Sequence, residues 1–171
     1  TITYVLTGNV EHSDSLGNTG TLSGGDVQWM TAGSGIIHQE MPKGNAAGQM
    51  HGFQLWANLP RDQKMCTPRY QDVASDHITS LTDDDGTHIR VIAGDYRGYR
   101  GPVDGIDTDP LYLDIALPAN TSRRFPFDTR RQGFAYIFEG SASFGNASRP
   151  FGVNVEKEFA GEEMKIRDQS G

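Results

Sequence analysis

Residues 25–42 read Gly25-Asp26-Val27-Gln28-Trp29-Met30-Thr31-Ala32-Gly33-Ser34-Gly35-Ile36-Ile37-His38-Gln39-Glu40-Met41-Pro42. Taken physically, this is a strand, a glycine turn and a second strand. Val27 to Met30 is apolar apart from Gln28 and follows a turn signal at Gly24-Gly25-Asp26. Ile36-Ile37-His38 opens the second strand after Gly33-Ser34-Gly35. The glycines at 33 and 35 permit a tight approach of backbone to backbone. His38 and Glu40 are two residues apart, so on a strand they project from one face. An imidazole nitrogen and a carboxylate oxygen on one face suit a borderline divalent metal such as Fe²⁺, Mn²⁺, Ni²⁺ or Zn²⁺. A His-x-Glu on a strand is also a common surface or hydrogen-bonded pair, and the tripeptide alone does not choose between these.

The same rhythm extends in both directions. Ile2 to Leu6 is β-branched and aromatic and runs into a Gly8-Asn9 turn; Phe53 to Leu59 ends at Pro60. Ile89 to Ala93, Tyr112 to Leu117, Phe134 to Phe138 and Ala142 to Phe144 are further strand candidates. Tyr70 to Leu81 has weak helical character, enough for a turn or two. Many short strands bounded by turn residues argue an all-β sandwich or barrel, and a jelly roll limits exposed strand edges. Residues 94–110 are rich in Gly, Pro and Asp with little apolar periodicity, which reads as a connector. Tyr4-Val5-Leu6-Thr7-Gly8 and Tyr136-Ile137-Phe138-Glu139-Gly140, on either side of it, share a tyrosine-led strand ending in glycine. That suggests a two-unit repeat.

Composition narrows the function classes. The chain has 171 residues and a formal net charge of −7. This acidic balance opposes phosphate approach, so direct nucleic-acid binding is not expected. The basic pairs Arg123-Arg124 and Arg130-Arg131 read as solvated surface. Asp83-Asp84-Asp85-Gly86 reads as a turn, because a calcium loop needs more oxygen ligands at set spacing. No apolar run is long enough to cross a membrane as a helix. One cysteine, Cys66, rules out a disulfide within the chain and fits a reducing, cytoplasmic compartment. No catalytic motif surrounds Cys66, so it reads as packing or surface. No signal peptide is visible before the strand that opens at Thr1.

Residues 25–42 resemble the second metal motif of the pirin family almost throughout. His51-Gly52-Phe53-Gln54-Leu55-Trp56-Ala57-Asn58-Leu59-Pro60 resembles the segment that follows it. Thr1 to Gly8, then Val10 to Ser15 and Gly17 to Gly20, resemble the strands just after the family's first metal motif. Leu111-Tyr112-Leu113-Asp114 and Tyr136 to Gly140 resemble its second cupin. The resemblance implies a double cupin of two jelly-roll β-barrel units, the second incomplete. Residues 1–94 would be the N-terminal cupin, 95–110 the connector and 111–171 a metal-free C-terminal cupin, since Glu139 has no histidine near it.

The family's metal is held by three histidines and one glutamate, and by position His38 and Glu40 correspond to the second pair. The other two histidines belong to a His-x-His motif a few residues upstream of what is Thr1 here, and the family's last strands lie beyond what is Asp168. The resemblance therefore implies a divalent metal, Fe first with Ni or Mn as alternatives, for the intact family, and weak or no metal binding by this chain. It implies a quercetin 2,3-dioxygenase-type oxidoreductase acting on a small aromatic flavonol, with Glu40 as a base. It equally allows a non-enzymatic transcriptional-cofactor or enzyme-partner role through a protein partner, or a degenerate metal-free cupin. His12 is the first substitute ligand to check, and His51 is a candidate for support behind the ligands. Trp29 and Trp56 are expected in the core or the pocket wall.

Overall fold

The computed structural model describes residues 1–128, 130–145, 155–159 and 162–166. The chain divides into two compact units, Thr1–Arg123 and Arg124–Gly171. The first holds twelve strands: β1 (Ile2–Thr7), β2 (Asn9–Asp14), β3 (Thr19–Leu22), β4 (Val27–Thr31), β5 (His38–Lys43), β6 (His51–Leu55), β7 (Arg69–Val73), β8 (Thr79–Thr82), β9 (His88–Ala93), β10 (Asp95–Tyr96), β11 (Tyr99–Arg100) and β12 (Tyr112–Ala116). Its only helical pieces among the described residues are single 3-10 turns at Arg61–Gln63 and Ser75–His77. The described part of the second unit contains an antiparallel hairpin, β13 (Val155–Phe159) with β14 (Glu162–Ile166).

The first unit is built around the sheet β6-β1-β4-β7, whose neighbours are all antiparallel. Its two central strands are buried on both faces, and alternation sorts the two environments. Ile2 and Tyr4 of β1, with Val27 and Trp29 of β4, face a hydrophobic core completed by Val73, Ile78, Ile92, Ala93 and Val103. That core joins the sheet to β9, the middle strand of β12-β9-β8. On the opposite face Thr3 and Gln28 turn toward a third sheet, β3-β2-β5. The only apolar cluster there among the described residues is Val5, Val10 and Leu22. One side of the central sheet is therefore oily and the other polar.

A half-buried arginine knits the oily side. The Arg90 guanidinium donates to the Tyr4 hydroxyl (2.6 Å), to the carbonyls of Gly25 (2.9 Å) and Ser75 (3.2 Å), and to Ser75 Oγ (2.9 Å). Tyr4 in turn donates to Asp114 (2.6 Å), the register partner of Arg90 on β12. Burial, then the Asp114 carboxylate, holds the Tyr4 phenol well above its ordinary range, so it stays a donor at neutral pH.

Several sequence expectations change. Tyr70 to Leu81 is helical only in the turn at 75–77; the rest is β7 and β8, because its backbone pairs with β4 and β9. Strand β5 begins at His38 rather than Ile36, although the Ile37 carbonyl still accepts from Ser15 N–H (2.8 Å). Strand β6 stops at Leu55 instead of Leu59. Phe134 to Phe138 and Ala142 to Phe144 form no strand, and Phe134, Tyr136, Ile137, Phe138 and Phe144 are all exposed. Strand-like pattern alone does not make a strand; ladder pairing with other strands does. Within the first unit, the glycine-rich stretch after Gly94 folds into the β10-β11 hairpin, and β12 then pairs with β9. Asp83 to Gly86 is the expected turn, closed by Gly86 N–H to the Asp83 carbonyl (2.9 Å). Arg123 and Arg97 both bind Asp83, and Arg123 also binds Asp85 at 2.6 Å, so these cations are committed to ion pairs.

Candidate functional site

The space between β6-β1-β4-β7 and β3-β2-β5 is layered, and the registers define each layer. Val5, Val10 and Leu22 close its floor. Above them one row of the central sheet runs Gln54, Thr3, Gln28, Asp72, each the register partner of the next. The facing row of the other sheet runs Glu40, His12, Gly20. At the next level β5 and β2 pair His38 with Asp14, and β4 and β7 pair Met30 with Tyr70. His38 and Glu40 thus share one face of β5, as the period of two requires, and that face looks toward the central sheet.

Two hydrogen-bonded groups span the gap. Glu40 Oε1 accepts from the Thr3 hydroxyl (3.2 Å), and its Oε2 accepts from the Gln54 amide (2.6 Å). The same amide nitrogen reaches Thr3 Oγ1 (3.3 Å), while Gln54 Oε1 accepts from the Trp56 indole N–H (2.9 Å). The second group centres on Gln28, only 2% exposed. Its amide nitrogen donates to Asp72 Oδ1 (2.9 Å) and lies 3.1 Å from His12 Nε2. Turning the amide over would set its oxygen against the Asp72 carboxylate. The nitrogen therefore faces both partners, and His12 Nε2 is the acceptor with its proton on Nδ1. His12 is buried and stacks on Tyr70, ring centroids 6.0 Å apart. The methyl-free face of Gly20 makes room for it, since a Cβ there would come within 2.4 Å of His12 Nε2.

Tyr70 contributes a buried hydroxyl that finds no hydrogen-bond partner at normal geometry. Burial, then the negative charges of Asp14, Asp72 and Glu40, push its phenol up to about 12. Three carboxylates therefore act on one point of the interior, which makes this polar layer acidic.

The expected site residues fall out as follows. Glu40 and His12 lie on facing-row positions and both bond to the central sheet. His38 is half-buried one step along β5. His51 sits on the other face of β6 from Gln54, exposed and edge-on to Phe53 at 5.5 Å, so it does not enter the layer. Trp29 is core, whereas Trp56 is 79% exposed and contributes through its N–H alone. Cys66 carries a free thiol on the loop against Gly33-Ser34. Thr3, Gln28, Gln54, Tyr70 and Asp72 were not singled out from the sequence. The available signal was polar residues at inward parity, Thr3 between Ile2 and Tyr4 and Gln28 between Val27 and Trp29.

A metal ion places demands on this layer that its donors do not meet. Both Glu40 oxygens are engaged, His12 Nε2 is taken by Gln28, and His38 is left as the remaining imidazole on that face. Among the described residues no group of three or more His, Cys, Asp or Glu side chains is arranged to hold a metal ion. The described residues do not by themselves make up a metal centre. Nor, among those residues, is any helix long and apolar enough to cross a membrane.

Comparison with known proteins gives the chain its relatives. Residues 1–57 match the pirin family model. A pirin-like protein of Caulobacter vibrioides is 43% identical over 141 residues, covering 82% of this chain and 51% of its own. A Pseudomonas aeruginosa protein named "Putative quercetin 2,3-dioxygenase" is 36% identical over 178 residues, covering 100% of this chain and 62% of its own. Among solved structures, quercetin 2,3-dioxygenase from Acinetobacter baumannii superposes with a TM-score of 0.54 at 40% identity, over 61% of this chain and 38% of that one. A Geobacillus kaustophilus protein gives 0.55 at 43% identity, over 61% and 41%. The chain spans about half the length of the curated relatives it matches.

Proposed function

From the premise that residues 1–57 are pirin-family sequence, we propose that the chain is part of a quercetin 2,3-dioxygenase-type oxidoreductase whose substrate is a flavonol-like small aromatic. The fold is all-β, of the cupin type that its structural relatives share. In this reading residues 1–94 form the first cupin, 95–110 the connector and 111–171 the second cupin. His38 and Glu40 supply one imidazole and one carboxylate toward a divalent metal whose other ligands come from a His-x-His segment. The observation that carries the reading is the inward pairing of His38 and Glu40 on β5 at the level of a polar, acidic layer.

What this chain's own residues do is bind and orient. Gln28, Tyr70 and Asp72 line the layer with donors and acceptors suited to phenolic hydroxyls. Glu40 would serve as a base through the lone pair that each oxygen keeps beside its Thr3 or Gln54 bond.

The test compares two chains. The 171-residue chain, dialysed and analysed for metals, should hold well under one equivalent of iron, nickel or manganese, and oxygen uptake with quercetin should be near background. A longer chain carrying His-x-His ahead of Thr1 should bind metal at least tenfold more tightly and consume oxygen with quercetin. His38→Ala in the longer chain should remove the gain. Stoichiometric metal in the shorter chain, or no response to His38→Ala in the longer one, would overturn the assignment of these ligands.

A further inference from the structure

The acidic layer offers a carboxylate that the residues around it already use. Among the described residues strand β5 is an edge strand, with β2 as its one neighbour in the sheet β3-β2-β5. Its outward residues are exposed, with Met41 at 47%, and Pro42 has no N–H to give a ladder. Little apolar surface therefore presses β5 onto the central sheet. The Val5, Val10 and Leu22 cluster draws on β1, β2 and β3 and includes no residue of β5. Across the gap, β5 is joined by Glu40, whose two oxygens take one donor from β1 and one from β6. The Gln54 donor is itself held in orientation: the Trp56 indole N–H fixes its oxygen, so its nitrogen must point at Glu40. Strand β2 is joined in the same manner, through His12 to Gln28 and on to Asp72.

We infer that in this chain Glu40 is a cross-barrel tie that fastens the edge strand β5 to β1 and β6 through Thr3 and Gln54, and that the barrel closes without a metal ion. The inference rests on this hydrogen-bond geometry and not on the flavonol reading. A carboxylate whose two oxygens each accept from a side chain of the central sheet does structural work through those donors. Trp56 then has a positioning role: its exposed ring contributes an N–H that sets the Gln54 amide.

Amide hydrogen exchange of the whole chain tests this, read separately over residues 38–43 and 88–93, in chelator and without flavonol. Glu40→Ala should speed exchange in β5 by tenfold or more while β9 stays within twofold of wild type. Gln54→Met, which keeps the bulk and removes the amide, should reproduce most of the β5 effect, and Trp56→Phe a smaller part of it. Adding Ni²⁺ or Mn²⁺ alone to the wild-type chain should leave β5 exchange unchanged. Should Glu40→Ala unfold the chain, exchange in β9 rises as well and Gln54→Met decides the matter. Unchanged β5 exchange in Gln54→Met, or wild-type β5 that loosens on chelation as far as Glu40→Ala does, would overturn the tie. Because no flavonol or oxygen enters this experiment, either outcome is independent of the oxidoreductase test.

Discussion

Gln28→Leu removes one buried amide and leaves the shape nearly unchanged, so its cost isolates the hydrogen bonds. Gln28 is 2% exposed, and its nitrogen serves His12 Nε2 and Asp72 Oδ1. The two partners respond differently. The Asp72 side chain is 50% exposed, so water replaces the lost donor at little cost. The His12 side chain is 5% exposed, so its Nε2 becomes a buried acceptor with no donor. Leaving such a group unsatisfied costs about 1–3 kcal/mol, and leucine recovers part of that through burial. A net loss of about 1.5 kcal/mol corresponds to a midpoint drop of roughly 5 °C for a unit of this size. Calorimetry measures that drop. Nitrogen-15 spectra of the imidazole read the local state, which in wild type should show the proton on Nδ1. In Gln28→Leu the nearest charged group left to Nε2 is Asp72 Oδ2 at 3.8 Å, an acceptor that supplies no donor. Wild-type His12 with its proton on Nε2, or a variant as stable as wild type, would rule out Gln28 as the donor that His12 depends on.

Tyr4→Phe deletes the hydroxyl between Arg90 and Asp114 and should cost about 2 kcal/mol, the typical scale for bonds to charged groups, read as a lower denaturation midpoint. It also changes alkaline behaviour: the folded Tyr4 phenol ionises above its unfolded value, so the folded chain holds that proton longer. Stability is therefore fully present below about pH 10 and declines as pH rises beyond it, and Tyr4→Phe should flatten that decline. Tyr70, pushed up to about 12, acts in the same direction and leaves a residual slope. Gly33→Ala sets a Cβ about 2.1 Å from the Cys66 carbonyl oxygen at a φ of +52°. It should destabilise by roughly 2 kcal/mol or more and raise the reactivity of Cys66 toward a thiol reagent by freeing the loop; a variant of wild-type stability would contradict the close approach.

The central sheet was legible because its code is simple. Ile2 to Leu6 and Val27 to Met30 are short, β-branched or aromatic and bounded by glycine turns, and both became strands close to the expected limits. The shared face of His38 and Glu40 followed from the strand period alone. The weak helical pattern at 70–81 yields one 3-10 turn, Ser75–His77, while pairing to β4 and β9 makes strands of the residues on either side. Phe134 to Phe138 misled. Its strand pattern is good, but a strand needs a ladder neighbour that residue order does not supply. Trp56 was expected inside because indoles are usually buried, yet here the ring is exposed and only the N–H is used.

The polar layer was harder to read, since its members come from six strands, β1, β2, β4, β5, β6 and β7, and meet only after folding. Thr3 and Gln28 carry no motif. Their meaning comes from register, which sets Gln54, Thr3, Gln28 and Asp72 side by side opposite Glu40 and His12. Resemblance pointed to Glu40 as a ligand, and the local bonds give it a second occupation. The two need not conflict in a longer chain. A carboxylate oxygen has two lone-pair sites, and ligands of a metal are commonly oriented by hydrogen bonds from behind. Thr3 and Gln54 can therefore hold Glu40 in either state. What decides between a tied carboxylate and a metal ligand is whether further imidazoles arrive at the same level as His38. That makes the number of histidines facing this layer, rather than the presence of Glu40, the feature on which metal chemistry in this barrel depends.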